Sequence, residues 1–175
     1  MNYSNIIVID TETTGLTPYD EILQLSIIDG NGKTLLNELY RPLNHTEWKM
    51  AEKINGISYD MVKNKKHISE DLDRIVSIIS KAKKIVGYNV SFDLNMLMQN
   101  LTIFTSIQKC EIFDVYRNYK YLASLNKLPV LSRHTLKNVS EYFGYTVPAG
   151  ESLHDALTDV KATLHSYKEI LNYMN

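Results

Sequence analysis

The sequence has little cysteine and no long hydrophobic run. Its one cysteine, Cys110, excludes an intramolecular disulfide framework and a zinc site built from several cysteines. No apolar segment approaches the roughly 20 residues that a helix needs to span a bilayer. The N-terminal segment also lacks the basic region of a signal peptide. These absences are typical of a protein of the reducing cytoplasm, so we expect a cytoplasmic location and no membrane partner.

Neither sign of charge predominates. The chain carries 19 basic and 20 acidic side chains, for a formal net charge of −1 at pH 7. Proteins that hold long stretches of duplex DNA through phosphate contacts are usually clearly basic. If this chain binds nucleic acid, metal ions and a few local contacts must supply much of the attraction. A short grip on a strand end fits this charge better than a long groove does.

The chain also lacks repeats, low-complexity tracts and linkers rich in Pro, Gly or Ser, so we expect one domain over residues 1–175. The segment Asp29-Gly30-Asn31-Gly32 is a strong hairpin signal between two apolar runs. The N-terminal part therefore predicts a three-stranded antiparallel meander. Its strands are predicted at Ile6–Asp10, Glu21–Asp29 and Thr34–Tyr40, with a turn at Thr11–Gly15 after the first.

Farther along the chain, apolar residues recur at helical spacing. Ser69 is predicted to cap a helix, and Gly144 to end another. Strands and helices alternate here, which predicts an α/β fold with a mixed sheet and helices packed on both faces. Further strands are predicted at Ile85–Tyr88 and Cys110–Val115, and helices at Phe92–Asn100, His134–Phe143 and Leu153–Tyr173.

Three segments place acidic residues at the ends of predicted strands or helices. Asp10 and Glu12 end the first strand, and their side chains share a face if the strand continues. Asp93 lies in the first turn of a helix that follows a buried strand. Asp159 lies beside the apolar stripe of the last helix, whose start carries His154. Taken singly, each has an ordinary explanation: a solvated strand end, an acid favoured by a helix N-terminus or a surface histidine.

Taken together, these acids offer carboxylates to one edge of a sheet, where ligands of α/β proteins gather. Close carboxylates repel one another, and a bound divalent cation offsets that repulsion. Because the ligand set is carboxylate without cysteine, it favours hard ions such as Mg²⁺ or Mn²⁺. Asp155 is interpreted as a first-turn helix acid. Surface positions are predicted for the remaining histidines, which are His45, His67, His134 and His165.

These segments resemble the motifs of the DEDDh-type 3′–5′ exonucleases, the superfamily of the proofreading epsilon subunit of bacterial DNA polymerase III. The first motif is similar to Ile9-Asp10-Thr11-Glu12-Thr13-Thr14-Gly15-Leu16, followed by Glu21-Ile22-Leu23-Gln24-Leu25. The second resembles Asn89-Val90-Ser91-Phe92-Asp93, and the third resembles His154-Asp155-Ala156-Leu157-Thr158-Asp159. Because three motifs occur in order over nearly the whole chain, the resemblance is specific.

The resemblance implies a ribonuclease-H-like fold and removal of single nucleotides from a 3′ end with two divalent ions. By this likeness His154 is the general base that deprotonates the attacking water. One ion is expected on Asp10, Glu12 and Asp159. The other is expected on Asp10 and, directly or through water, on Asp93. The catalytic set is thus Asp10, Glu12, Asp93, His154 and Asp159.

Two segments depart from the epsilon pattern. Ile54-Asn55-Gly56-Ile57 stands where those relatives tend to carry a His-Gly-Ile wedge, and Tyr88-Asn89 stands where they carry His-Asn. Both departures fall on expected substrate contacts, so they bear on the preferred substrate and not on the reaction. Asp114 matches a further acid of the family that we interpret as structural. The expected contacts to the terminal nucleotide are Thr13, Thr14, Gly15, Ile54, Asn55, Asn89 and Phe92.

We expect a single-stranded 3′ end as substrate, with DNA favoured, and a DNA polymerase subunit as a candidate partner. Three alternatives stay open at this point. The chain could be an exoribonuclease that degrades oligoribonucleotides or trims transfer RNA, although no residue indicates a contact to a ribose 2′-hydroxyl. It could be a catalytically silent domain that binds nucleic acid or a partner protein, or a metal-dependent phosphatase of small molecules.

Overall fold

The fold is known from a computed structural model, which describes residue 3 and residues 5–101 and 103–174. The domain predicted over 1–175 also takes in residues 1, 2, 4, 102 and 175, which lie outside the described residues. The strands are β1 (Ile6–Thr13), β2 (Ile22–Asp29), β3 (Thr34–Leu39), β4 (Lys84–Gly87) and β5 (Glu111–Asp114). They form one sheet in the order β3-β2-β1-β4-β5.

The helices follow the third and later strands. They are α1 (Lys49–Asn55), α2 (Tyr59–Val62), α3 (Leu72–Lys81), α4 (Ser91–Asn100), α5 (Phe104–Ile107), α6 (Val115–Ser124), α7 (Leu136–Tyr142) and α8 (Ala156–Met174). The sequence predicted α3, α4, α7 and α8, but not α1, α2, α5 or α6. Within the described chain, no helix combines the length and the apolar composition that a membrane span requires.

The first three strands form the predicted antiparallel meander. β1 pairs antiparallel with β2, and β2 pairs antiparallel with β3. In the hairpin between β2 and β3, Asp29 Oδ1 accepts the backbone N–H groups of Asn31 and Lys33, both at 2.9 Å. Gly32 has a φ of +93° there, which glycine adopts without steric cost. β4 runs parallel to β1 and β5 parallel to β4, so the predicted mixed sheet is confirmed.

Helices cover both faces of the sheet, as predicted. Successive residues of a strand point to opposite faces, so β1 contributes Ile9 to one core and Val8 to the other. On the first face Ile9 belongs to a cluster with Ile79 of α3. On the second, Val8 belongs to a cluster with Val160 of α8. Burial on both faces explains why β1 begins as an uninterrupted apolar run.

The first strand is longer than predicted. β1 continues through Glu12 to Thr13, so the turn predicted at Thr11–Gly15 begins too early. The polar end of β1 stays in the sheet because β2 supplies partners to it, with Gln24 opposite Glu12. Pairing with a neighbouring strand thus overrides the local turn composition. As a consequence, Asp10 and Glu12 belong to the same strand and share a face.

The predicted cap of α3 is wrong. Ser69 lies inside a 3₁₀ turn, Ile68–Asp71, that precedes the helix. His67 caps this turn, because its ring Nδ1 accepts the Ser69 N–H at 3.3 Å and Glu70 Oε1 accepts the His67 N–H at 2.8 Å. The chain therefore uses a reciprocal capping box centred two residues before the predicted cap.

Two other helices start later than predicted. α7 was predicted from His134, but Thr135 caps it through its side chain. α8 was predicted from Leu153, but it begins at Ala156. The reason is the backbone of His154, whose φ of +68° is incompatible with a right-handed helix. The left-handed backbone of His154 therefore keeps residues 153–155 outside the helix.

Candidate active site

The predicted acids meet at the carboxyl edge of the sheet. β1 and β4 are parallel neighbours, so their carboxyl ends lie side by side. β1 carries Asp10 and Glu12 at that end. β4 ends at Gly87, and the chain then turns into α4, whose first turn carries Asp93. Two segments that are far apart in sequence are thus brought together by the parallel pairing.

Asp93 is fixed directly to β1. Its side chain is 3% exposed, and its Oδ1 accepts the backbone N–H of Thr11 at 2.9 Å and the Thr11 hydroxyl at 2.7 Å. Thr11 stands between Asp10 and Glu12 in the strand. This contact therefore holds the carboxylate from α4 against the stretch of β1 that carries the other two acids.

Asp159 and His154 approach from α8 and from the loop before it. Asp159 is buried, and its Oδ1 accepts the His154 backbone N–H at 3.2 Å. One ligand atom each from Glu12, His154 and Asp159 lie within 4.8 Å of one another. The His154 side chain is exposed to solvent. The structure thus brings the predicted catalytic residues to one place, with the acids inside and the imidazole at the surface.

Burial raises the pKa of each of the four acids, and repulsion from the other acids adds to the rise at Asp10 and Glu12. Burial is the largest cause at Asp10, whose pKa lies well above its usual range, and the charges of the other acids add to it. Burial followed by the charge of Asp159 raises the pKa of Glu12 to about 8. Burial raises the pKa of Asp93 to about 7, although the hydrogen bonds from Thr11 oppose the rise. Burial also raises the pKa of Asp159 to about 7.

Among the described residues, no lysine or arginine neutralises these carboxylates. Across residues 3, 5–101 and 103–174, no lysine or arginine nitrogen lies within 4.0 Å of an acidic oxygen of Asp10, Glu12, Asp93 or Asp159. Clustered carboxylate oxygens without a protein cation, beside an imidazole, suit hard divalent cations. The residues present therefore fit the Mg²⁺ or Mn²⁺ expected from the sequence.

Gln24 braces the site, and sequence reasoning gave it no role. Gln24 lies opposite Glu12 in the sheet. Gln24 Oε1 accepts the Ala156 N–H at 3.2 Å, and Nε2 donates to Asp155 Oδ2 at 3.1 Å. Asp155 Oδ1 also accepts the Thr158 N–H at 3.1 Å, as its reading as a helix-start acid predicts. The signal that could have revealed Gln24 is a polar amide in a mostly apolar, buried strand, because such an amide must find hydrogen-bond partners.

The loop that we expect to contact the substrate follows β1, and Asp20 holds it through hydrogen bonds. Thr14 Oγ1 donates to Asp20 Oδ1 at 2.8 Å, and Thr13 Oγ1 donates to the Gly15 carbonyl at 2.6 Å. A Cβ at Gly15 would lie 2.6 Å from Asp20 Oδ1, so a larger residue there would displace this carboxylate from its hydrogen bonds. Asp20 is a second residue that sequence reasoning missed. It fixes the backbone that we expect to contact the terminal nucleotide.

The end of α1 lies beside this loop. Asn55 Nδ2 donates to the Thr13 carbonyl at 3.3 Å, and the Asn55 side chain also opposes the rise of the Glu12 pKa. Ile54 is 60% exposed and so presents apolar surface to solvent. The structure therefore places Ile54 and Asn55 at the rim of the acid cluster, where their substrate contacts stay a prediction.

The remaining expected contacts lie where β4 passes into α4. Asn89 has a left-handed φ of +59°, and its backbone N–H donates to Asp114 Oδ1 at 3.1 Å. Asp114 Oδ1 also accepts the Arg117 N–H at 3.2 Å at the start of α6, which agrees with a structural role for this acid. Phe92 is half-buried and packs against the core cluster on its face of the sheet. Part of its ring therefore serves the core.

The four histidines predicted at the surface are half-buried, and besides His67, which caps the 3₁₀ turn, the other three also have structural partners. His45 Nδ1 lies 2.7 Å from Glu21 Oε2, and Glu21 also accepts the His45 backbone N–H at 3.1 Å. His134 packs edge-on against Tyr119, with its Nε2 buried. His165 Nε2 lies 2.9 Å from the Phe143 carbonyl oxygen. Sequence cannot show these partners because each comes from a distant part of the chain.

Comparison with known proteins agrees with this geometry. The Exonuclease (RNase_T) family model matches residues 7–167. The PolC-type DNA polymerase III of Thermotoga maritima is 29% identical over 98% of this chain, but the chain spans only 12% of that protein. The DNA polymerase III subunit epsilon of Rickettsia conorii is 26% identical over 94% of this chain and 73% of that protein.

Solved structures share the fold. Exonuclease X in complex with 5′ overhanging duplex DNA has a TM-score of 0.69 at 23% identity, over 95% of this chain and 91% of that chain. The zinc-bound E. coli ExoI–ssDNA complex has a TM-score of 0.74 at 20% identity, over 97% of this chain and 42% of that chain. These likenesses confirm the predicted ribonuclease-H-like fold. Together with the three motifs and the match to the family model, they show that the chain belongs to the exonuclease family, as a member of its DEDDh type.

Proposed function

We propose that this chain is a metal-dependent 3′–5′ exonuclease that releases nucleoside monophosphates from single-stranded 3′ ends and favours DNA. The observation that carries the proposal is the meeting of four acids next to the ring of His154, with no lysine or arginine of the described residues paired to them. Membership of the exonuclease family supports the reaction. The PolC-type and epsilon relatives support DNA as the polymer, and action together with a DNA polymerase.

The acids are proposed to act as a rigid ligand set for two ions of Mg²⁺ or Mn²⁺. Asp10, Glu12 and Asp159 would hold one ion, and Asp10 and Asp93 the other. When bound, the ions would supply positive charge to the scissile phosphate and make the attacking water more acidic. Asp93 can serve in this way without moving, because the backbone and hydroxyl of Thr11 already fix its other oxygen.

His154 is proposed to take the proton of the attacking water. A neutral imidazole is a suitable acceptor near neutral pH. The water oxygen then bonds to phosphorus, the bond from phosphorus to the 3′ oxygen breaks, and the 3′ oxygen gains a proton from solvent. The exposed ring of His154 can pass its proton to bulk water, while the hydrogen bond from its backbone N–H to Asp159 holds the loop in place.

The surroundings of the acids support a strand end as the substrate. Backbone groups of Thr13–Gly15, held by Asp20, would lie against the terminal nucleotide, and Ile54 with Phe92 would offer apolar surface to bases. Asn55 and Asn89 are proposed as polar contacts. We further propose one domain over 1–175 and a cytoplasmic location, to which the unpaired Cys110 is suited.

Digestion of end-labelled single strands tests the proposed function. With Mg²⁺ or Mn²⁺ we expect a ladder that shortens from the 3′ end, faster on DNA than on RNA, and no cleavage in the presence of a chelator. Asp10→Asn removes a ligand charge, so it should lower the rate by more than the roughly 10–100-fold typical of an outer-shell partner. Asp73→Asn, an exposed acid of α3, is the matched control and should keep the rate.

Each other outcome of this digestion selects a different function. Faster digestion of RNA would identify an exoribonuclease. Binding of metal without cleavage of either polymer would indicate a silent domain or a subunit that a partner must activate. Hydrolysis of nucleoside monophosphates without strand polarity would identify a phosphatase. Near-normal digestion by Asp10→Asn would contradict the ligand assignment.

Replacing His154 tests the general base. His154→Ala should lower kcat by roughly 10²–10⁴, and the remaining activity should lose the dependence on pH that comes from protonation of the base. Binding of Mn²⁺, measured by calorimetry, should persist because the carboxylates remain. His67→Ala, which removes the cap of a distant 3₁₀ turn, is the control. An unchanged rate and pH profile in His154→Ala would show that this residue is not the base.

The raised pKa values predict how pH and metal affect stability. A carboxyl whose folded pKa is raised contributes stability that is fully present below its unfolded pKa and is lost as pH rises through the folded value. In chelator, Tm should therefore fall as pH rises from about 5 to about 8, because the folded pKa values of Glu12, Asp93 and Asp159 lie at about 7 to 8. Mn²⁺ needs the ionised carboxylates, so the Tm increase it causes should be larger near pH 8 than near pH 6.

Differential scanning calorimetry at several pH values, with chelator and with Mn²⁺, checks this prediction. In Asp10→Asn the fall of Tm with pH in chelator should be shallower, because one repelling charge is gone. An increase of Tm with pH in chelator would contradict the assigned repulsion. So would an increase on adding Mn²⁺ that does not depend on pH.

A further inference from the structure

A pocket of about 310 Å³ lies beside the acids, between the start of α7 and the loop of His154. His154 and Asp159 form its wall on the side of the acids. Its other side carries the cationic side chains Arg133 and Lys137 and the amide of Asn138. The protein has a net charge of −1, yet two positive side chains lie next to the acid cluster, so the local charge changes from negative to positive there.

These two cations are not committed to strong partners. In the described part of the chain, Arg133 forms no ion pair. The nearest carboxylate to Lys137 is Glu141, at 4.0 Å in an exposed pair, a type of contact that contributes little. By contrast, Lys66 lies 2.6 Å from the carboxylate of Asp71. Arg133 and Lys137 are therefore available to bind an anion in the pocket.

The segment that carries Arg133 is fixed to the edge of the sheet. The Tyr88 hydroxyl donates to the His134 carbonyl at 2.7 Å, and Asn138 Nδ2 donates to the Arg133 carbonyl at 2.9 Å. The ring of His134 packs edge-on against Tyr119. Tyr88 directly follows β4 and precedes Asn89 of the second motif. One residue at the carboxyl edge thus ties the cationic wall of the pocket to the acid site.

The charge pattern limits what the pocket can hold. Beyond Lys137 a second cavity, of about 460 Å³, continues along α7, and its walls include Glu141 and Glu151. Lys161 lies 2.9 Å from the Glu151 carboxylate and offsets its charge, so the carboxylate that would repel a strand extended farther in this direction is Glu141. Cations on one side and acids on the next make the pocket suitable for a single phosphate and not for a length of backbone.

We propose that this pocket is a phosphate-binding subsite, which takes the internal phosphate next to the scissile phosphate of the substrate strand. The planar guanidinium of Arg133 can bind two phosphate oxygens, and Lys137 supplies a second charge. Tyr88 is a positioning residue that holds Arg133 through the His134 carbonyl. The identity of the anion as part of a strand rests on the proposed function, whereas the pocket and its charges do not.

The test compares a ligand with several phosphates to one with a single phosphate. Arg133→Gln and Lys137→Gln remove the charges, and Lys109→Gln is the control. Lys109 is exposed just before β5, at the amino edge of the sheet and so away from the acids. Binding is measured by fluorescence anisotropy over a salt series, with a labelled single-stranded oligonucleotide of about 10 nucleotides whose 3′ linkage is a phosphorothioate. Hydrolysis is measured on thymidine 5′-p-nitrophenyl phosphate, which has one phosphate.

If the pocket binds an internal phosphate, each charge removal weakens oligonucleotide binding by roughly tenfold or more. It also lowers the slope of log affinity against log salt by about 0.7. The kcat/KM for the single-phosphate ester should stay unchanged, as should every property of Lys109→Gln. Tyr88→Phe should raise KM for a hydrolysable oligonucleotide while leaving kcat, and hydrolysis of the ester, unchanged.

Three results would overturn the subsite. The first is unchanged oligonucleotide binding in both charge variants. The second is an equal loss on the oligonucleotide and on the ester, which would assign the cations to the scissile phosphate. The third is weaker inhibition by thymidine 5′-monophosphate with unchanged oligonucleotide binding, which would assign the pocket to the released product. If the wild type binds the oligonucleotide through these cations but hydrolyses neither substrate, the subsite stands and the proposed activity fails.

Discussion

Mutual repulsion among carboxylates held at one edge of the sheet is the constraint on which the rest of the structure depends. Burial is the largest cause of the raised pKa of each acid, and within the described residues no lysine or arginine lies close enough to offset the repulsion. Two features of the fold offset this repulsion. β1 is buried on both faces, and hydrogen bonds from Thr11 to Asp93 and from His154 to Asp159 stabilise the carboxylates. A ligand set that is already assembled needs little reorganisation when cations bind.

At this edge of the sheet the carboxylates are fixed and buried, whereas other side chains of the site are exposed to solvent. Asp93 and Asp159 are buried and hydrogen-bonded, whereas His154 and Ile54 are exposed at the rim. Such a division suits hydrolysis of a polymer end, because the ligands must keep their geometry while the base exchanges protons with water and the nucleotide enters and leaves. A net charge near zero agrees with this division. The attraction for the strand would then come mainly from metal ions held by the acids and from the cationic side chains at the border of the site.

Sequence predicted which acids meet at this edge of the sheet because their signals are local. Asp10 and Glu12 are two residues apart in β1, and Asp93 lies in the first turn of the helix that follows β4. It did not predict Gln24, whose role depends on Asp155 and Ala156, more than 130 residues away. The start of α8 was wrong for a related reason, because the left-handed backbone of His154 is set by the site it enters. Partners brought together only by the fold leave no local pattern.

The most direct test of the central claim is an anomalous-scattering map of crystals soaked in Mn²⁺ near pH 8. The account predicts manganese peaks bonded to carboxylate oxygens of Asp10, Glu12, Asp93 and Asp159, with one peak absent or weakened in Asp10→Asn. Well-ordered crystals without manganese at these acids would contradict the claim that their clustering exists to hold divalent cations. So would an ordered lysine or arginine found to neutralise the acids in place of metal.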